Sequence, residues 1–139
     1  MTEYFKTRDE IRSLVESFES CTIRPEDFRH YQHLTVALWY VSSLSYDEAV
    51  ERMISGIRRL SEAYGKTGYH ETITIFWLRI VSAFVKQCKD ELVTTANRLI
   101  GKYNKDYIRE YYSPELLASE KAKAEWVEPD LKSLLPPAI

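Results

Sequence analysis

The side chains whose types and spacing point to chemistry are three histidines, the only ones in the sequence. His30 and His33 lie three residues apart, and His70 is followed directly by Glu71 in a second segment. Residues three or four apart on a helix share one face, so a helix would hold the first two imidazoles side by side. Imidazoles next to a carboxylate can bind a metal ion, transfer a proton or contribute to an anion site.

The first and favoured use is a divalent metal site formed by these four side chains, in a protein that acts on or senses a small molecule. Imidazole and carboxylate ligands suit Zn, Fe, Mn or Ni, and a site with three or four protein ligands can leave a position for water. Glu26 and Asp27 precede His30 by four and three residues and could join the site from the same helix face. The H-x-x-H spacing also arises by chance, and it lacks the H-E-x-x-H order of zinc proteases, so the pattern does not identify the metal.

The second use is acid–base catalysis without a metal. The positive end of a helix disfavours the imidazolium form, so His70 or His33 near a helix start would stay neutral and able to accept a proton. Glu71 or Glu26 would then orient the ring. This hypothesis predicts an imidazole–carboxylate pair that solvent can reach.

The third use is anion binding. Backbone N–H groups at helix N-termini attract negative charge, and the starts of two helices are expected to meet at the histidines. Arg29 or Arg79 would supply a guanidinium that holds a carboxylate or a phosphate. In all three uses the expected partner is a small molecule or ion.

The alternative is a histidine group with a purely structural role. Histidines at helix starts often satisfy backbone groups only, and the chain would then be a binding or oligomerising module, with a homodimer as one form. This hypothesis predicts an exposed apolar patch and histidines that hydrogen-bond only to protein groups.

Four further side chains are candidate walls of the same pocket. Tyr69 and Tyr40 flank the histidines and carry a hydroxyl, and Thr74 follows His70 by four residues. Arg79 lies in a strongly apolar segment, where a buried guanidinium needs a carboxylate partner. A structural ion pair is the favoured interpretation of Arg79, with a substrate clamp as the other.

The elements that must position these residues are helices, because glycine is scarce and apolar residues recur at helical spacing. Capping boxes begin the first helix at Thr7 and the third at Ser45. The predicted helices run from Thr7 to Ser20, Pro25 to about Leu44, Ser45 to Gly65, His70 to about Gln87, Lys89 to Tyr103 and Ser113 to Lys123, followed by an extended tail from Trp126 to Ile139.

The second and fourth helices are apolar on nearly every face, which is typical of central helices. The amphipathic helices should pack around them in one all-α domain over residues 1–139, a bundle of five to six helices with the tail 124–139 packed on it. Short connections make successive helices antiparallel, so the second and fourth helices should start at the same end. That end would bring all three histidines to one pocket.

Composition limits the classes of function. The chain has 139 residues, 45% of them hydrophobic and 29% charged, which describes a globular domain. The net charge of −2 and the lack of a basic stripe argue against nucleic acid binding. Short apolar runs and a polar N-terminus predict a cytoplasmic protein without a membrane anchor, and the distant Cys21 and Cys88 are expected to be reduced thiols.

Four segments resemble a group of short bacterial proteins to which no reaction is assigned. They are Phe28–Leu34, Gly68–Thr74, Tyr112–Leu117 and Trp126–Leu131, and the most specific parts are F-x-H-x-x-H-L and Y-H-E-T-x-T. The resemblance covers most of the chain. It supports the choice of the histidines and implies a bacterial cytoplasmic setting, but it implies no cofactor.

Overall fold

The residues that the structure describes, 3–67 and 69–134 of a computed structural model, form helices and turns and no strand, which confirms the all-α fold. The α-helices of this part are α1 (Arg8–Glu19), α2 (His30–Ser43), α3 (Tyr46–Ala63), α4 (Glu71–Gln87), α5 (Leu92–Lys102), α6 (Pro114–Leu117) and α7 (Glu120–Ala124). None of these helices combines the length and the apolar character needed to cross a bilayer. The predictions for Gly68 and for the tail beyond residue 134 lie outside the described residues.

Capping side chains determine where α1 and α3 begin. The Thr7 hydroxyl accepts the Glu10 N–H at 3.2 Å while the Glu10 carboxylate accepts the Thr7 N–H at 2.9 Å. Ser45 and Glu48 repeat the arrangement at α3. Each box satisfies backbone donors that have no partner within the helix.

The second helix starts at His30, later than the sequence predicts. Residues Pro25–Asp27 form a separate 3-10 turn, and the chain then leaves helical geometry at Phe28, whose ring stacks on Phe18 with centroids 4.7 Å apart. The Gln32 side chain accepts the N–H of the residue before His30 at 3.0 Å and caps the new start. The predicted continuous helix is therefore wrong over its first turn.

The central pair of the bundle consists of α2 and α4, as their apolar sequences predict. Helices α1, α3 and α5 contact α2, and α3, α5 and α7 contact α4. The buried side chains of the pair are Leu34, Thr35, Val36, Ala37, Leu38 and Tyr40 of α2, and Thr72, Thr74, Phe76, Trp77, Leu78, Ile80 and Val81 of α4. Burial of a large apolar side chain stabilises a fold by about 1.5–3 kcal/mol, so this pair anchors the core.

The two central helices run in the same direction. His33, in the first turn of α2, and His70, just before α4, border one cavity. Ser42 and Cys88, at the far ends of the same helices, border another. Helix α3 contacts both helices and runs back from the end of α2 to the start of α4, as its short connections require.

The C-terminal segment, residues 113–134, folds back across the start of α4. The Ser119 hydroxyl accepts the N–H of Ala122 at 3.1 Å and begins a new helix, which splits the single helix predicted here into α6 and α7. The buried Thr72 hydroxyl donates to the Glu125 carbonyl at 2.8 Å and accepts the Val127 N–H at 3.2 Å. These bonds tie the segment to the first turn of α4.

Candidate functional site

His70 lies just before α4 and uses both ring nitrogens in hydrogen bonds to the protein. Its Nδ1 accepts the Ile73 N–H at 3.2 Å and caps the helix. Its Nε2 lies 2.7 Å from the Leu117 carbonyl oxygen. Because a carbonyl only accepts hydrogen bonds, the proton belongs on Nε2 and the ring is neutral. A metal ion or a proton in transfer could reach His70 only if one of these bonds broke.

His33 lies in the first turn of α2, and its ring packs edge-on against Phe28 with centroids 4.8 Å apart. Burial disfavours the imidazolium form and lowers the pKa of His33 to about 4, with nearby His30 acting in the same direction. The ring is therefore neutral at pH 7. Among the described residues, His30 and His70 hydrogen-bond to protein groups through ring nitrogens, whereas His33 is held by packing.

His33 and His70 line one cavity of about 350 Å³, here called the histidine cavity, between the starts of α2 and α4 and the end of α3. The other described residues that line it are Pro25, Ile57, Ser61, Lys66, Thr67, Tyr69, Ile73 and Thr74. Lys66 and Thr67 are exposed and form its rim. Its volume is at the small end of the range for ligand pockets, about 300–1,000 Å³.

A cluster of Tyr69, Glu71 and Arg58 lies beside the cavity. The Tyr69 hydroxyl donates to Glu71 Oε1 at 2.6 Å. The Arg58 guanidinium lies 3.9 Å from the same oxygen and 4.8 Å from the centre of the Tyr69 ring. Burial, followed by the bond to the carboxylate, raises the pKa of Tyr69. The acid–base hypothesis expects Glu71 to orient an imidazole, but its partner is a phenol.

His30 does not line the histidine cavity. Its Nε2 lies 2.8 Å from the Tyr103 carbonyl oxygen, and its ring contacts Trp77 with centroids 4.7 Å apart. Burial lowers the pKa of His30, although the bond to Tyr103 opposes this effect. Of the expected three imidazoles, the cavity therefore brings together only His33 and His70.

The four predicted pocket walls divide into two pairs. Tyr69 and Thr74 line the histidine cavity. Tyr40 lies further along α2, and its hydroxyl donates to a glutamate of α1 at 2.6 Å. The Arg79 guanidinium lies 4.2 Å over the ring centre of Trp126, so an aromatic face occupies the place where a carboxylate was expected.

The charged residues before α2 also lie apart from the cavity. Because Glu26 and Asp27 belong to the 3-10 turn, they do not share a helix face with His30. Asp27 instead accepts a hydrogen bond from Arg24 Nε at 2.9 Å. Arg29 Nε donates to the Glu26 carbonyl at 3.0 Å. These residues are therefore not among those that line the histidine cavity.

One wall of the histidine cavity, formed by α3 and the loop after it, was not predicted from the sequence. It consists of Ile57, Ser61, Lys66 and Thr67. The antiparallel return of α3 was the available signal, because it places the end of α3 beside the starts of α2 and α4. These residue types carry no distinctive chemistry, so no sequence pattern marks them as part of a site.

The part of the chain that the structure describes contains no group of three or more histidine, cysteine, aspartate or glutamate side chains placed to hold a metal ion. The metal site stays a prediction. Comparisons of the chain with protein-family models, with curated proteins and with solved structures find no match. The resemblance to short bacterial proteins therefore stays an expectation.

Proposed function

We propose that the chain binds a small anionic molecule in the histidine cavity without catalysing a reaction on it. The observation that carries the proposal is the difference between the two imidazoles of that cavity. His70 is occupied by two hydrogen bonds, while His33 presents a neutral ring held by packing. A neutral imidazole offers one donor and one acceptor to a ligand.

The charges around the cavity favour a negative ligand. Lys66 contributes an ammonium group at the rim, and Ser61 and Thr67 add hydroxyl donors. The starts of α2 and α4 flank the same space, and their two partial positive charges outnumber the one partial negative charge at the end of α3. A carboxylate or a phosphate with few heavy atoms matches both this polarity and the small volume.

The pKa of His33 favours binding over acid–base catalysis. A general base is most effective when its pKa lies near the working pH. A group with a pKa of about 4 holds a proton only weakly at neutral pH. Glu71, the carboxylate expected to support a catalytic imidazole, is engaged by Tyr69.

A titration followed by two-dimensional NMR tests the proposal, with acetate, malonate and inorganic phosphate as probes at constant ionic strength. We expect at least one probe to shift the His33 ring nitrogens and the amides of Lys66 and Thr67 in a saturable way. His33→Gln and Lys66→Gln should each weaken the binding of that probe by about tenfold, because each removes one charge-assisted or buried hydrogen bond. Lys121→Gln, at an exposed lysine of α7, is the matched control. Wild-type affinity in both cavity variants would contradict the proposal.

A divalent metal is the second candidate, because two imidazoles line one cavity. Binding through His70 would require it to release either the Leu117 carbonyl or the Ile73 N–H. Elemental analysis of protein purified without a histidine tag tests for Zn, Fe, Mn and Ni. Stoichiometric metal that disappears in His33→Ala would support this candidate. No metal, together with normal folding of the His30→Ala/His33→Ala variant, would eliminate it.

A further inference from the structure

A second cavity of about 350 Å³ lies at the opposite end of the central pair, where α2 and α4 end and α1 and α5 begin. We call it the far cavity. Its floor is apolar and includes Leu38, which is 1% exposed, together with Val85 and Leu92. Its lining also includes the exposed side chains of Arg8 and Asp90, which form its polar edges.

Arg8 supplies the positive edge of the far cavity. Its guanidinium lies 5.1 Å from the ring centre of Trp39, which also lines the cavity. In the part of the chain that the structure describes, the partner of Arg8 is this aromatic face and not a carboxylate. Stacking leaves the N–H groups at the edge of a guanidinium plane available, and they match a carboxylate in a bidentate arrangement.

Asp90 supplies the negative edge. Its Oδ2 lies 2.7 Å from Arg98 and accepts the Cys88 thiol at 3.4 Å. Both contacts involve the same oxygen, so Oδ1 remains for a further donor.

The far cavity thus offers three separate features within a small volume: an anion partner, a cation partner and an apolar floor. Arg98 already pairs with one oxygen of Asp90, so a simple carboxylate would leave only Oδ1 of Asp90 without a donor, and a simple amine would leave Arg8 without a carboxylate. A molecule that carries both charges on one carbon and a hydrocarbon side chain satisfies all three. We propose that the far cavity binds an apolar α-amino acid, with its carboxylate on Arg8 and its ammonium group toward Asp90.

Isothermal titration calorimetry and NMR on the full chain test this proposal with L-leucine and three matched probes. The probes are 4-methylpentanoate, which lacks the ammonium group, 3-methylbutylamine, which lacks the carboxylate, and glycine, which lacks the side chain. We expect L-leucine to bind at least about tenfold more tightly than each probe, with a shift of the Trp39 indole signal. No binding of L-leucine, or equal binding of any one probe, would overturn the proposal.

Matched variants locate the binding. Arg8→Gln and Asp90→Asn should each weaken the binding of L-leucine by about tenfold or more. Arg12→Gln, on the exposed face of α1 beside Asp9, and Asp106→Asn, at an exposed position, should leave it unchanged. Thermal melting of each variant checks that the fold is intact. Binding that survives Arg8→Gln and Asp90→Asn in folded protein would show that the far cavity is not the site.

Discussion

The two ends of the α2–α4 pair differ in the groups that they present. At the starts of the helices, His33 and His70 border a cavity with a lysine at its rim. At their ends, Arg8 and Asp90 border a cavity with an apolar floor. Parallel packing of two central helices places both partial positive charges at one end and both partial negative charges at the other. Because α1 and α5 begin at the far end and α3 ends at the histidine end, the two ends differ mainly in the side chains that border them.

The two ends also differ in how firmly the rest of the chain holds them. At the histidine end, the C-terminal segment bonds to His70 and to Thr72. At the far end, the polar contacts of Thr95 and Cys88 are local, since both involve Asp90. A side chain that joins distant segments contributes to tertiary stability, whereas a local bond mainly shapes a loop. The two ends should therefore respond differently to acid and to mutation.

The largest expected difference is the response of the histidine end to acid. His33 has a pKa of about 4 in the folded chain and about 6.5 in the unfolded chain. Between these values the unfolded chain binds more protons, so stability is full above pH 6.5 and falls as the pH is lowered toward 4. The integrated loss is about 3 kcal/mol. Urea unfolding at a series of pH values measures it.

His33→Gln isolates this effect, because it removes one titrating group and leaves the others. His30, whose pKa is also lowered by burial, contributes a loss of the same sign in both proteins. The difference in free energy of unfolding between the wild type and His33→Gln should therefore change by about 3 kcal/mol between pH 6.5 and pH 4. This change does not depend on how stable the variant is at pH 7. Arg8→Gln at the far end should keep the wild-type dependence of the free energy of unfolding on pH. A wild-type slope in His33→Gln would show that His33 is not buried as a neutral ring.

The sequence predicts the fold more completely than it predicts the site, and the residues show why. The apolar faces of α2 and α4 and the capping boxes at Thr7 and Ser45 are local signals, and they hold in the structure. The chain leaves helical geometry at Phe28, whose ring packs against Phe18 of α1, and helical spacing alone does not reveal this contact between two elements. Because the predicted first turn of this helix is absent, Glu26 and Asp27 do not share a helix face with the histidines.

The orientation of each imidazole also depends on distant partners. His30 turns toward the Tyr103 carbonyl and His70 toward the Leu117 carbonyl, both far along the chain. Spacing places His30 and His33 on one helix face, but it does not determine which ring meets a cavity. A prediction of the site from the sequence would have required the positions of α5 and α6.

The next largest effect compares two buried threonines, one at each end. Thr72 is fully buried and joins two backbone groups of the C-terminal segment, while Thr95 is 4% exposed and bonds to the nearby Asp90 carbonyl. Replacement by valine keeps the shape and removes the hydroxyl. Thr72→Val should lower the free energy of unfolding by about 2 kcal/mol, because two buried groups lose their partner, and Thr95→Val by about 1 kcal/mol. Equal losses in urea unfolding would contradict the claim that the C-terminal segment holds the histidine end more firmly.

The smallest effect separates the two bonds made by His70. Asparagine at this position can still cap α4 but cannot reach the Leu117 carbonyl, whereas alanine can do neither. His70→Ala should therefore be less stable than His70→Asn by about 1 kcal/mol, the typical contribution of a helix cap. Hydrogen exchange distinguishes the two bonds, since the Ile73 amide should stay protected in His70→Asn and lose protection in His70→Ala. Equal stability of the two variants would mean that the imidazole does not cap α4, and His70 would again be available to a ligand in the histidine cavity.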